Sequence, residues 1–262
     1  MICNNLMKRF FILYGVIFLL GQNIFAQGDI DNQNKIFYRN EKSIAFMLNS
    51  NGFGLNGRYA KRTDAANKIF YDLDIALLKH PKEVRRANSN YSNAQSYILG
   101  KQYVVFDFRL GYGKQKEIYR KFDVGGISVR RFHSIGPSIS LLKPIYYQID
   151  NGQNQVEIEK FSVAKSDAII GKASFFKGLN ELTVIPGAFV KGGLSFEYSR
   201  FDQIIHSIDV GVIPEAFIKK LPIMATRENS WFFITLFVSY RIGKVVDPKA
   251  IKNKPTKGDF FY

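Results

Sequence analysis

The clearest regularity in the chain is the alternation over residues 231–243, WFFITLFVSYRIG. Phe232, Ile234, Leu236, Val238, Tyr240 and Ile242 share one side of an extended backbone. Trp231, Phe233, Thr235, Phe237, Ser239 and Arg241 share the other. A two-residue period rich in β-branched and aromatic side chains predicts a strand. Crossing a bilayer takes about 9–11 residues of strand, and this segment is long enough. The pattern recurs at 43–48, 53–62, 68–78, 103–119, 127–149, 188–199 and 204–217. In 68–78, Ile69, Tyr71, Leu73, Ile75 and Leu77 oppose Phe70, Asp72, Asp74 and Ala76, an apolar face backed by one that carries carboxylates. The expected fold class is therefore all-β, an eight-stranded antiparallel transmembrane β-barrel.

The connections have a parity. Those after the second, fourth and sixth strands (63–66, 122–126, 200–203) are short, whereas 79–96, 150–186 and 218–230 are long and share the other end with the tight turn 49–52. Short periplasmic turns and longer extracellular loops are the habit of outer-membrane barrels. A soluble exported barrel of the lipocalin type is the alternative, but it gives no reason for long loops at one end. Gly54 and Gly57 weaken the second strand, Gly136-Pro137 predicts a bulge or an edge-like irregularity in the fifth, and 173–179 reads as a short helix. Lys143, Tyr146 and Tyr147, at a strand end, suit an interfacial belt.

The first 26 residues read differently. Lys8 and Arg9 precede an apolar run, FFILYGVIFLL, and Ile24-Phe25-Ala26 supplies a small residue for cleavage before Gln27. That is a secretory signal peptide at 1–26, followed by a polar periplasmic lead-in (27–41), the barrel (42–243) and a basic periplasmic tail (244–262). The one cysteine, Cys3, lies in the signal, so no mature disulfide or thiolate site is expected. Net charge is +15, or +13 without Lys8 and Arg9. On an exported chain this points to outer-membrane lipid and lipopolysaccharide phosphates, and away from nucleic acid.

Candidate chemistry falls into two groups. The inner face is expected to carry Asp72, Asp74, Asp107, Glu197 and Asp209 with Arg109, Arg130, Lys191 and Arg241. Eight strands leave room only for side chains, so these charges should form a self-paired plug and not a pore. The loop sequence KHPKEVRR sets Lys79, His80, Lys82, Arg85 and Arg86 at the outer rim, as a grip for lipopolysaccharide phosphate or a partner, or as a solvated basic loop. His80, His133 and His206 form no zinc motif, and no metal or cofactor is expected. His133-Ser134 invites a lipid A-modifying enzyme, yet neighbours on a strand point to opposite faces.

With KHPKEVRR, GGISVRRFHSIGPSISLLKPIYYQI and IIGKASFFKGLNELTVIPGAFVKGGLSFEY together, nearly the whole mature chain resembles a family of small outer-membrane β-barrels of Bacteroidetes-type bacteria. The resemblance implies a Gram-negative cell envelope and transfers no catalytic residue. By analogy it suggests an accessory subunit of a secretion or assembly complex. The expected function is thus a non-enzymatic outer-membrane barrel, structural or accessory, with a lipid A-modifying enzyme as the alternative.

Overall fold

The computed structural model describes residues 40–91, 94–121, 126–152, 155–199, 204–225 and 228–246. The signal peptide, lead-in residues 27–39, tail residues 247–262, and all but Gly126 of the turns at 122–126 and 200–203 lie outside the described residues. In chain order the strands are β1 (Asn40–Asn49), β2 (Gly52–Arg62), β3 (Asn67–Leu78), β4 (Arg85–Arg86), β5 (Tyr97–Ile98), β6 (Tyr103–Tyr119) and β7 (Ser128–Pro144). They continue with β8 (Tyr146–Asp150), β9 (Val156–Lys160), β10 (Ile169–Lys172), β11 (Thr183–Glu197), β12 (Ile204–Phe217) and β13 (Phe232–Val246). Eight of them close into an antiparallel barrel in the order β1-β13-β12-β11-β7-β6-β3-β2.

Alternation decides which side of the wall each residue takes. On β13, Ile234, Leu236, Val238 and Ile242 are at least half exposed, while Thr235, Phe237, Ser239 and Arg241 are buried in the lumen. In water this distribution would be inverted; in a bilayer the apolar band meets lipid and the polar residues meet each other. Tyr59, Tyr71 and Tyr112 stand on adjacent strands near the short-turn end, and Trp231 and Phe232 at the long-loop end. Such aromatic girdles belong at the two interfaces. The chain is a closed eight-stranded β-barrel of the outer-membrane type.

Several boundaries differ from the sequence expectation. Asn40 and Glu41 belong to the first strand and Lys244 to Val246 to the last, because the closing ladder runs from Asn40↔Val246 to Asn49↔Phe237. The single strand expected over 127–149 breaks at Ile145, whose N–H leaves the ladder to reach the Gln102 carbonyl at 2.8 Å. Beyond the break, β8 joins β9 and β10 in a separate three-stranded sheet outside the barrel. Tyr147 is accordingly a core residue of that sheet and not an interfacial one. The described residues of 150–186 are therefore folded, and β11 already begins at Thr183. In place of a helix over 173–179 there are turns and a single 3-10 segment, Leu179–Glu181.

Gly136-Pro137 makes no bulge. Pairing of β7 with β11 runs through Ala188↔Pro137 without a shift, and β6 pairs in the same register on either side of it. The β6–β7 ladder only lapses opposite Gly136 and Pro137, and its register shift lies between Glu117 and Tyr119. Pro137 points outward, so its ring needs no room in the lumen.

Inside, bulky rings lie over glycines. A Cβ on Gly113 would meet Phe70 Cζ at 2.5 Å and the His133 carbonyl at 2.4 Å; one on Gly193 would meet Phe132 Cζ at 3.0 Å, and one on Gly211 Phe237 Cε1 at 2.9 Å. The space a side chain would fill is taken by a neighbouring phenylalanine. Gly113→Val should therefore overpack the wall and destabilise the barrel by about 1–3 kcal/mol. Urea unfolding in lipid vesicles, followed by fluorescence of Trp231 (the only tryptophan), checks this as a lowered midpoint.

Candidate functional site

Period-two alternation on β2, β3, β11, β12 and β13 delivers the central polar cluster to the lumen. Arg58 makes a two-pronged ion pair with Asp72, Nε–Oδ1 2.7 Å and Nη2–Oδ2 3.0 Å. Its guanidinium lies over the Phe70 ring, 4.1 Å from the centroid. Lys191 reaches both Asp74 oxygens at 3.0 and 3.2 Å and Asp72 at 3.6 Å, while the Asn56 amide also donates to Asp74. Arg241 donates to Asp209 (2.8 Å), Ser43 (3.0 Å) and Asn56 (2.6 Å). Ser195 and Ser207 complete the Asp209 carboxylate.

Nearer the long-loop end, Arg109 binds Glu215 through Nε (3.1 Å) and Nη2 (2.7 Å) and sits 2.6 Å from Asp107, which accepts from Ser140. At the short-turn end Arg130 pairs with Glu197, and Lys68 with Glu41. All nine interior residues expected from the sequence thus face the lumen. Arg58, Glu41, Lys68 and Glu215 were not among them. Glu215 shares the parity of Asp209, so alternation alone could have found it; Arg58 was hidden by the glycines of β2.

Apolar groups fill the remaining space. Met47, Phe70, Phe132, Phe189, Ile213 and Phe237 pack among the charges. A second cluster, with Val105, Leu142 and Phe217 from the wall and Ile98, Leu221, Ile223 and Met224 from the loops, closes the long-loop mouth. Backbone bonds from Gln102 to Ile223 and from Ala225 to Gly100 tie those loops together. The lumen is a packed core.

The rim is different. A cleft of about 660 Å³ opens beside β2 and β3, lined by Lys79, His80, Glu83, Arg85, Lys101 and Lys172 among others. The loop after β3 folds back on itself: Glu83 accepts the His80 N–H at 3.0 Å, His80 Nδ1 accepts the Lys82 N–H at 3.1 Å, and β4 pairs with β5. Lys101 binds Glu83 at 2.6 Å and is positioned by Tyr147, whose hydroxyl donates to the Lys101 carbonyl at 2.7 Å. Burial holds the Lys172 ammonium below the usual lysine range, and the nearby charges of Lys101 and Arg85 add to the effect. Lys79, His80 and Arg85 line the cleft, whereas Lys82 and Arg86 are exposed and do not line it. Lys101 and Lys172 come from distant segments, and no local pattern announces them. His133 lies exposed on the outer wall and Ser134 is buried in the lumen, so the wall itself separates them.

No protein-family model and no curated protein matches the chain. Among solved structures it is similar to Neisserial surface protein A, at 11% identity over 80% of this chain and 97% of that one, with a TM-score of 0.37. It is also similar to the attachment invasion locus protein Ail of Yersinia pestis, solved with the heparin analogue sucrose octasulfate, at 8% identity over 79% and 95%, TM-score 0.33. A third is the N-terminal β-barrel domain of Pseudomonas aeruginosa OprF, at 8% identity over 78% and 97%, TM-score 0.33. The closed barrel itself rests on the ladders described above.

Removing one partner of a buried ion pair leaves the other charged and desolvated. Arg241→Met strips Asp209 of its guanidinium and Ser43 and Asn56 of a donor, and should cost about 3–5 kcal/mol. The same urea titration measures it, and an unchanged midpoint would show that the cluster contributes nothing to holding the barrel.

Proposed function

We propose that this chain is a non-enzymatic binding barrel of a Gram-negative outer membrane, an accessory subunit of an envelope complex that holds lipopolysaccharide phosphate in its basic cleft. The contrast between lumen and rim carries this reading. In the lumen, carboxylates and cations neutralise one another. In the cleft, Lys79, Arg85, Lys101 and Lys172 gather around the single carboxylate Glu83. A phosphate entering there would relieve the mutual repulsion felt by Lys172 and gain charge-assisted hydrogen bonds.

The orientation supports the same ligand. With the short turns on the periplasmic side, residues 1–26 acting as the export signal, the cleft stands at the outer leaflet, where lipopolysaccharide phosphates lie. The resemblance of the mature chain to small barrels of Bacteroidetes-type bacteria is consistent with an envelope of this kind. The lipid A-modifying alternative gains nothing from His133 and Ser134 on opposite faces of the wall.

Replacing Lys79 and Lys172 together by alanine should weaken binding of purified lipopolysaccharide to the detergent-solubilised barrel by about tenfold or more, with a shallower salt dependence. Equal affinity of wild type and double variant would sink the cleft as the ligand site. For the accessory role, affinity purification from mild-detergent outer membranes should recover a stoichiometric protein partner, lost when the loop over residues 79–86 is replaced by a neutral one. Recovery of the wild type as a lone barrel would overturn it.

A further inference from the structure

The lipid-facing wall carries a notch. Gly57 on β2 faces the bilayer between Leu55 and Tyr59, in a row of directly paired residues that runs Ile242, Ile44, Gly57, Leu73 and Leu110 across five strands. A Cβ there would meet only the Leu73 carbonyl oxygen, 4.0 Å away. The missing side chain helps open an apolar groove of about 950 Å³ walled by Ile44, Tyr59, Tyr71, Leu73, Leu110 and Ile242. Lys42 and Lys244 line the same groove toward the short-turn end. They are direct partners across the closing ladder, and both are exposed on the outer face. Like charges directly opposed on a sheet repel, and an anion between them removes that cost.

We infer that this groove binds a glycerophospholipid of the periplasmic leaflet. Its phosphate sits between Lys42 and Lys244, and one acyl chain runs along the notch at Gly57. The polarity is right: from Lys42 to Ile44 is one two-residue step, about 6.6 Å, toward the middle of the membrane. Apolar walls thus begin where the headgroup ends, and Tyr59 and Tyr71 flank the passage at the interfacial level. The site is separate from the rim cleft and stands or falls independently of it.

The test is native mass spectrometry of the full-length barrel released from mild-detergent micelles, after incubation with palmitoyl-oleoyl phosphatidylglycerol. Gly57→Leu fills the notch without striking the backbone, and Lys42→Ser with Lys244→Ser removes the charges; gel mobility of unheated samples verifies that each variant folds. The wild type should retain one phospholipid, and each variant should retain it about tenfold less. Equal retention by all three overturns the proposal, because the lipid would then be part of the ordinary annulus. A wild-type dimer that Gly57→Leu dissolves also overturns it, because a second copy would be the occupant.

Discussion

The structure depends first on the ladder that joins β1 to β13. Ten paired positions, from Asn40↔Val246 to Asn49↔Phe237, turn an open sheet into a closed one. In hydrocarbon an open edge would leave a row of N–H and C=O groups without partners, each costing several kcal/mol. Closure removes both edges at once and fixes the size of the lumen. Everything inside must then fit an eight-strand interior, which admits side chains and little else.

That constraint explains the chemistry of the interior. The inner face must be polar enough to distinguish it from the lipid face, yet the packed lumen leaves little room for bulk water to solvate isolated charges. Mutual pairing is the solution: Arg58 with Asp72, Lys191 with Asp74, Arg241 with Asp209 and Arg109 with Glu215. Phenylalanines laid over glycines take up the space between. Charges committed in this way hold one another in place across the lumen.

Long loops on one rim supply that outside. They are not loose connections: β4 and β5 form a hairpin, β8 to β10 form a sheet with its own core, and Ile98, Leu221, Ile223 and Met224 cap the mouth. A platform folded in this way can hold Lys79, Lys101 and Lys172 close together despite their mutual repulsion. Spread along the chain as free lysines they would have no such tendency.

By itself the sequence determined the number of barrel strands, the end at which the long loops gather, and the side of the wall taken by Asp72, Lys191, Asp209 and Arg241. The physical reason is that a strand's side chains alternate with a period of two, so face assignment is a local property. It also placed Lys79, His80 and Arg85 at the rim. Tertiary structure decided what alternation cannot encode. It broke 127–149 at Ile145, because a bond to Gln102 on another segment replaces the ladder there. It kept Pro137 in register, since the proline faces lipid. It folded β8, β9 and β10 into a sheet and brought Lys101 and Lys172 to the cleft, and it set Gly57 in a row with Ile44 and Leu73. Each of these depends on which strand lies beside which, a relation between distant residues that only the closed barrel creates.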